Sequence, residues 1–234
     1  MTNSENFDLK SLKEFRKEFD DEDSDLYLLE KSLNEFNVFD VLGKNSKTEI
    51  RHSNVLAWLL DPNESHNTGD KTLKLFLESI PSDVDLTGEY SVAVHREWEN
   101  IDLSILIKSG SKRFLIIIEN KTKNKGDSYK QLEKYRNRVE NKFKEDYKKI
   151  FIYLTPEGVV PNDKNELRYW NLLSYGQIVS NILNKVTLVA KGDVKKFIDQ
   201  YVKDKIEEDK NFVLLKSSKK YIRFTTTTLS EKIK

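Results

Sequence analysis

The sequence predicts an α/β fold: a central mixed sheet flanked by helices, with an extra helical segment ahead of it. Three observations carry that prediction. Strand-like runs cluster in the middle of the 234-residue chain. One of them, Phe114-Leu115-Ile116-Ile117-Ile118, has no polar face and so belongs at a sheet centre covered on both sides. A helical stretch then separates the third strand from the fourth, which makes those two strands parallel neighbours joined by a crossover. The length suits one sizeable α/β core.

In chain order, Leu9 to Phe19 and Leu26 to Phe39 carry apolar residues at helical spacing, separated by the acidic run Asp20 to Asp25. They form the predicted N-terminal helical segment, residues 1–44. Ser53 is placed to cap a helix over Asn54 to Leu60, stopped by Asp61-Pro62, and Asp70 to cap Lys71 to Ile80, stopped by Pro81. Strands follow at Tyr90 to Trp98, Ile101 to Ile107, Phe114 to Glu119 and Lys149 to Leu154. The crossover helix starts at Asp127 or Ser128 and runs to about Lys144. A loop rich in turn residues over Thr155 to Lys164 leads to a short strand near Arg168 to Trp170 and a helix from Ser174 to Asn184. The core is expected over residues 45–190. Beyond it, residues 191–234 hold a helix capped by Asp193, with the stripe Val194, Phe197, Ile198, Tyr201 and Val202, and a strand-like tail from Phe212. That tail reaches Lys234 without a terminating element, as in a piece of a longer protein.

Composition narrows the chemistry. With no cysteine, thiolate zinc sites and cysteine nucleophiles are excluded, and three histidines leave little for an imidazole site, so any metal site is expected to be built from carboxylates. No apolar run reaches the roughly 18 residues of a membrane span, and the N-terminus lacks a secretory signal pattern, which predicts a cytoplasmic protein with no membrane partner. Net charge is only +1, but residues 1–40 hold 5 basic and 12 acidic side chains, and residues 121–149 hold 11 basic and 5 acidic. A basic stretch there suits a phosphate backbone, although a solvated helix face is the commoner explanation of such a charge run.

The chemistry concentrates on two strands. If Ser109-Gly110-Ser111-Lys112 is a hairpin turn, pairing Ile107 with Phe114 sets a register in which Asp102 falls opposite Glu119. Opposed residues of an antiparallel pair share a face at roughly 4.5–5.5 Å between Cβ atoms. The period of two sends Lys121 to the same face and Asn120 to the other. Two facing carboxylates repel, and a hard divalent cation such as Mg²⁺ is the simplest remedy. Asp102 could instead be a turn-proximal partner of a solvent-exposed strand end carrying Glu119 and Lys121.

At these residues the chain resembles the PD-(D/E)XK nuclease superfamily, whose sites place one acid on the second core strand and acid-x-Lys on the third. Asp102 and Glu119-Asn120-Lys121 match; Ile101 stands where the name-giving proline would be. Gln131-Leu132-Glu133-Lys134-Tyr135 resembles the Gln-x-x-x-Tyr helix motif of recombination-type exonucleases in that superfamily, and residues four apart share a helix face. The segment Glu49 to Pro62, with His52-Ser53-Asn54 and Leu56-Ala57-Trp58-Leu59-Leu60 inside it, resembles the N-terminal signature of a bacterial subgroup of these proteins.

The resemblance implies a restriction-endonuclease-like core and a metal-dependent nuclease acting on phosphodiester bonds, with DNA as the expected partner. It implies Asp102, Glu119 and Glu49 as ligands of Mg²⁺ or Mn²⁺, Lys121 as the group at the attacking water and the phosphate, and Gln131 and Tyr135 as orienting residues. A homodimer and a defence-system partner protein fit the same resemblance. The alternative function is a catalytically silent nucleic-acid-binding or defence-associated module on the same fold. The intact acid-x-Lys argues against it.

Overall fold

The computed structural model describes residues 48–122, 128, 130–143, 146–208, 212–217 and 220–225. The two helices expected before residue 44 lie outside these. The chain divides into two compact units, one spanning residues 43–199 and the other including residues 200–234.

The first unit opens with α1, Thr48–Leu60, and α2, Lys71–Glu78. Then come β1, Tyr90–Trp98, β2, Ile101–Ser109, and β3, Lys112–Asn120, followed by α3, Gln131–Lys142, β4, Lys148–Thr155, and β5, Trp170–Ser174. The five strands lie in the order β1-β2-β3-β4-β5. β1, β2 and β3 pair antiparallel, whereas β3 with β4 and β4 with β5 are parallel. This is the expected mixed sheet, with α3 as the crossover.

β3 is the middle strand, and Phe114 to Ile118 are each no more than 1% exposed. An all-apolar strand buried on both faces is the physical requirement for that position. On β2 the faces separate as its alternation requires. Ile101, Leu103, Ile105 and Ile107 are buried, while on the other face Asp102 and Leu106 are partly exposed and Ser104 between them is buried. Ser109 pairs with Lys112, leaving Gly110 and Ser111 as a two-residue loop. Gly110 has φ +56°, the left-handed region that tight hairpin turns require and glycine occupies without a Cβ clash.

Several element ends differ from the sequence expectation. α1 begins five residues ahead of Ser53, which is therefore interior and buried, its hydroxyl accepting from Asn120 instead of capping the helix. Asp70 precedes α2 but makes no capping bond, because its carboxylate is taken by the Tyr90 hydroxyl at 2.6 Å and by Lys74 at 2.7 Å. The short strand begins at Trp170, since Lys164–Arg168 form a 3₁₀ turn closed by the Tyr169 N–H on the Glu166 carbonyl.

After β5, Ser174 and Gln177 make a reciprocal capping box. The helix runs as α4, Tyr175–Gln177, a π-helical stretch Ile178–Leu183, and α5, Asn184–Val186. α6 spans Gly192–Glu208, so Asp193 lies in its first turn and not before it. In the second unit β6, Phe212–Ser217, pairs antiparallel with β7, Lys220–Thr225, which makes the strand-like tail a hairpin. Among the described residues no helix is long and apolar enough to cross a membrane.

Candidate active site

The β2–β3 ladder runs from Ser109↔Lys112 to Leu103↔Ile118, so one further step sets Asp102 against Glu119. The Asn120 N–H closes this end, donating to Asp102 Oδ2 at 2.7 Å. Beyond the strand, the Lys121 N–H continues the parallel ladder by donating to the Leu154 carbonyl at 2.8 Å. The backbone on either side of Asn120 is thereby pinned to β2 and β4, and the side chains of Glu119 and Lys121 project from a fixed frame.

Glu119 is 1% exposed. Its Oε1 accepts from Lys121 Nζ and from Gln131 Nε2, each at 2.8 Å. Gln131 Nε2 also lies 3.0 Å from the Tyr135 hydroxyl, and Gln131 Oε1 accepts from the Ser128 N–H at 3.2 Å. The four-residue spacing on α3 therefore brings Gln131 and Tyr135 to the same side, facing the acid. Glu119 Oε2, by contrast, is buried with no hydrogen-bond partner.

Electrostatics follow from this crowding. Burial, and then the charge of Asp102, push Glu119 up to about 8 despite the ammonium of Lys121 beside it. Burial likewise raises Asp102 to about 6, with Glu49 adding to the rise and the Asn120 N–H opposing it. For Lys121, burial works against the charge, but Glu119, then Glu49 and Asp102, outweigh it and hold the ammonium protonated above its ordinary range. Burial also raises the Tyr135 phenol. Both acids are thus held in a place that penalises their ionised forms.

Glu49 lies in the first turn of α1, half-buried, close enough for its charge to be felt by both acids. Its backbone carbonyl accepts from Asn120 Nδ2 at 3.3 Å. Among the described residues no three acid or histidine groups form one cluster able to hold an ion, so the three acids as they stand do not make a single coordination set. The pair Asp102 and Glu119 does suit a hard divalent cation. Its donors are all oxygen, both carboxylates gain from a nearby positive charge, and a buried carboxylate oxygen lacks a donor.

One contributor had no sequence signal pointing to it. Asn120 is 1% exposed on the opposite side of β3, where its Nδ2 donates to Ser53 Oγ at 3.0 Å and its Oδ1 accepts from the Tyr175 hydroxyl at 2.7 Å. Tyr175 in turn packs edge-on against His52, with ring centroids 5.9 Å apart. Asn120 therefore ties α1 and α4 to the end of the strand that carries Glu119 and leads into Lys121. A second histidine, His66, is structural: its Nε2 lies 2.8 Å from the Asp61 carbonyl and its Nδ1 accepts from the Thr68 N–H at 3.1 Å.

No curated protein and no solved structure matches the chain. The family model of the PD-(D/E)XK nuclease superfamily matches residues 36–204, a span that contains all five strands of the main sheet together with Glu49, Asp102, Glu119, Lys121, Gln131 and Tyr135. The chain belongs to the PD-(D/E)XK nuclease superfamily.

Proposed function

We propose that the protein is a divalent-metal-dependent nuclease that hydrolyses phosphodiester bonds in DNA, with Asp102 and Glu119 holding Mg²⁺ or Mn²⁺. The observation that carries this reading is the carboxylate pair of partly exposed Asp102 and buried Glu119, with Lys121 Nζ 2.8 Å from Glu119 and a Glu119 oxygen that has no hydrogen-bond partner. When bound, the ion supplies Lewis-acid polarisation of a phosphoryl oxygen.

The chain's own groups then have distinct roles. Lys121, kept as an ammonium by the surrounding acids, places a positive donor where negative charge develops on the phosphoryl oxygens as water attacks phosphorus and the P–O bond breaks. Gln131 fixes Glu119 by donating to the oxygen that Lys121 also uses, and it is itself held by Ser128 and Tyr135. Glu49 contributes negative charge at the margin of the pair, which strengthens attraction for a cation.

Purified protein with Mg²⁺ or Mn²⁺ is expected to nick or degrade DNA and to be silent in EDTA. Lys121→Ala is expected to lower the rate at least about 100-fold, the scale of removing one preorganised charge-stabilising donor, with an unchanged circular dichroism spectrum. Equal cleavage by the wild type and Lys121→Ala would exclude the assignment. Salt-sensitive DNA binding with no metal-dependent cleavage would favour the silent module instead.

A further inference from the structure

A second feature lies on the neighbouring stripe of α3. A cleft of about 610 Å³ opens between that helix and the loop ahead of β5, lined by three cationic residues (Lys130, Arg136, Arg168), three carboxylates and two carboxamides, Asn162 and Asn165. Its volume is in the range of small-molecule sites. Lys130 directly precedes Gln131 and Arg136 directly follows Tyr135 in the sequence, so cleft and active site share one helix.

The floor is rigid. Arg136 donates from Nε and Nη2 to the two oxygens of buried Glu166, each at 3.0 Å, and Trp170 Nε1 donates to the same carboxylate at 3.2 Å. The wall is rigid for a different reason. The ring of Tyr169 carries both guanidiniums, Arg136 at 4.0 Å and Arg168 at 4.8 Å from its centroid. Planar cations on an aromatic ring lose their freedom before a ligand arrives, which lowers the ordering cost of binding one.

The charge balance identifies the ligand class. The positive and negative groups lining the cleft balance three to three, and Lys130 is paired with Glu133 among them. A phosphate offers acceptors only and would meet the carboxylates. A nucleobase presents donors and acceptors on its edge and a flat π face, which carboxamides, carboxylates and guanidinium planes complement together.

Resting on the nuclease reading above, we propose that this cleft receives an unpaired nucleobase of the substrate strand, flanking the phosphate at the active site, so that single-stranded or strand-opened nucleic acid is the preferred substrate.

The test uses the full chain in EDTA and fluorescence anisotropy with two labelled single-stranded DNA oligonucleotides, identical except that one carries abasic sites. The wild type is expected to bind the intact strand about fivefold or more tightly than the abasic one, the low end of what base stacking contributes. Arg168→Ala and Tyr169→Ala change exposed residues and are expected to erase that preference, whereas Tyr169→Phe, which keeps the ring, retains it. No preference in the wild type, or a preference that survives both alanine variants, overturns the proposal. Metal-dependent cleavage without base preference counts against the cleft alone; base preference without any cleavage counts against the nuclease reading alone.

Discussion

Asn120 touches more of the site's scaffold than either acid, joining β2 through its backbone N–H and α1 and α4 through its side chain. Asn120→Ala removes the buried carboxamide that hydrogen-bonds the Ser53 and Tyr175 hydroxyls. Thermal and urea unfolding are expected to show a loss of about 2 to 4 kcal/mol, since losing a buried hydrogen-bond partner costs about 1 to 3. Gln131→Ala removes one of the two donors on Glu119 Oε1 and frees Tyr135 from its partner. Its expected result in the cleavage assay is a loss of about tenfold with little change in melting temperature, because Gln131 is only part-buried. At this scale the sequence showed what periodicity can show. Glu119 and Lys121 two apart across the end of a strand, and Gln131 and Tyr135 four apart on a helix, reach one place. The partners of Asn120 stood 67 and 55 residues away, and no local pattern encodes such contacts.

Among the elements, the hairpin of β2 and β3 carries most of the positional information, and its register depends on a two-residue loop with glycine at positive φ. Gly110→Val is expected to cost about 1 to 2 kcal/mol in urea unfolding, the usual penalty for an L-residue with a Cβ in that region. Ile116, fully buried on the middle strand, is a stronger test of the sheet's centre. Ile116→Ala is expected to lower stability by about 2 to 5 kcal/mol through lost burial and the cavity left behind. The strands were legible because their composition and period allow little else, and the parallel step from β3 to β4 followed from the intervening helix. Element ends were less legible, for reasons seen in single side chains. Ser53 and Asp70 have good capping chemistry, but tertiary partners, Asn120 for one and Tyr90 with Lys74 for the other, claim their oxygens.

For the whole molecule, the two raised carboxylates link stability to pH and to divalent ions. Between their ordinary range near 4 and their native values of about 6 for Asp102 and about 8 for Glu119, the unfolded chain has released protons that the native protein still binds. Stability of the metal-free protein is therefore expected to be highest at the acidic end of this window and to fall as pH rises through about 8. Melting in EDTA across pH 5 to 9 reads this directly. An ion that binds only the folded state adds about 2.7 kcal/mol at a hundredfold excess over its Kd, and the gain is expected to grow with pH as fewer protons must be displaced. Glu119→Gln should flatten both dependences.

The most direct measurement is anomalous diffraction from crystals soaked in Mn²⁺ near pH 8. A peak between the carboxylates of Asp102 and Glu119 is the expected result. Diffracting soaked crystals with no peak there, or with the manganese held by other side chains, would contradict the metal-dependent reading of this site.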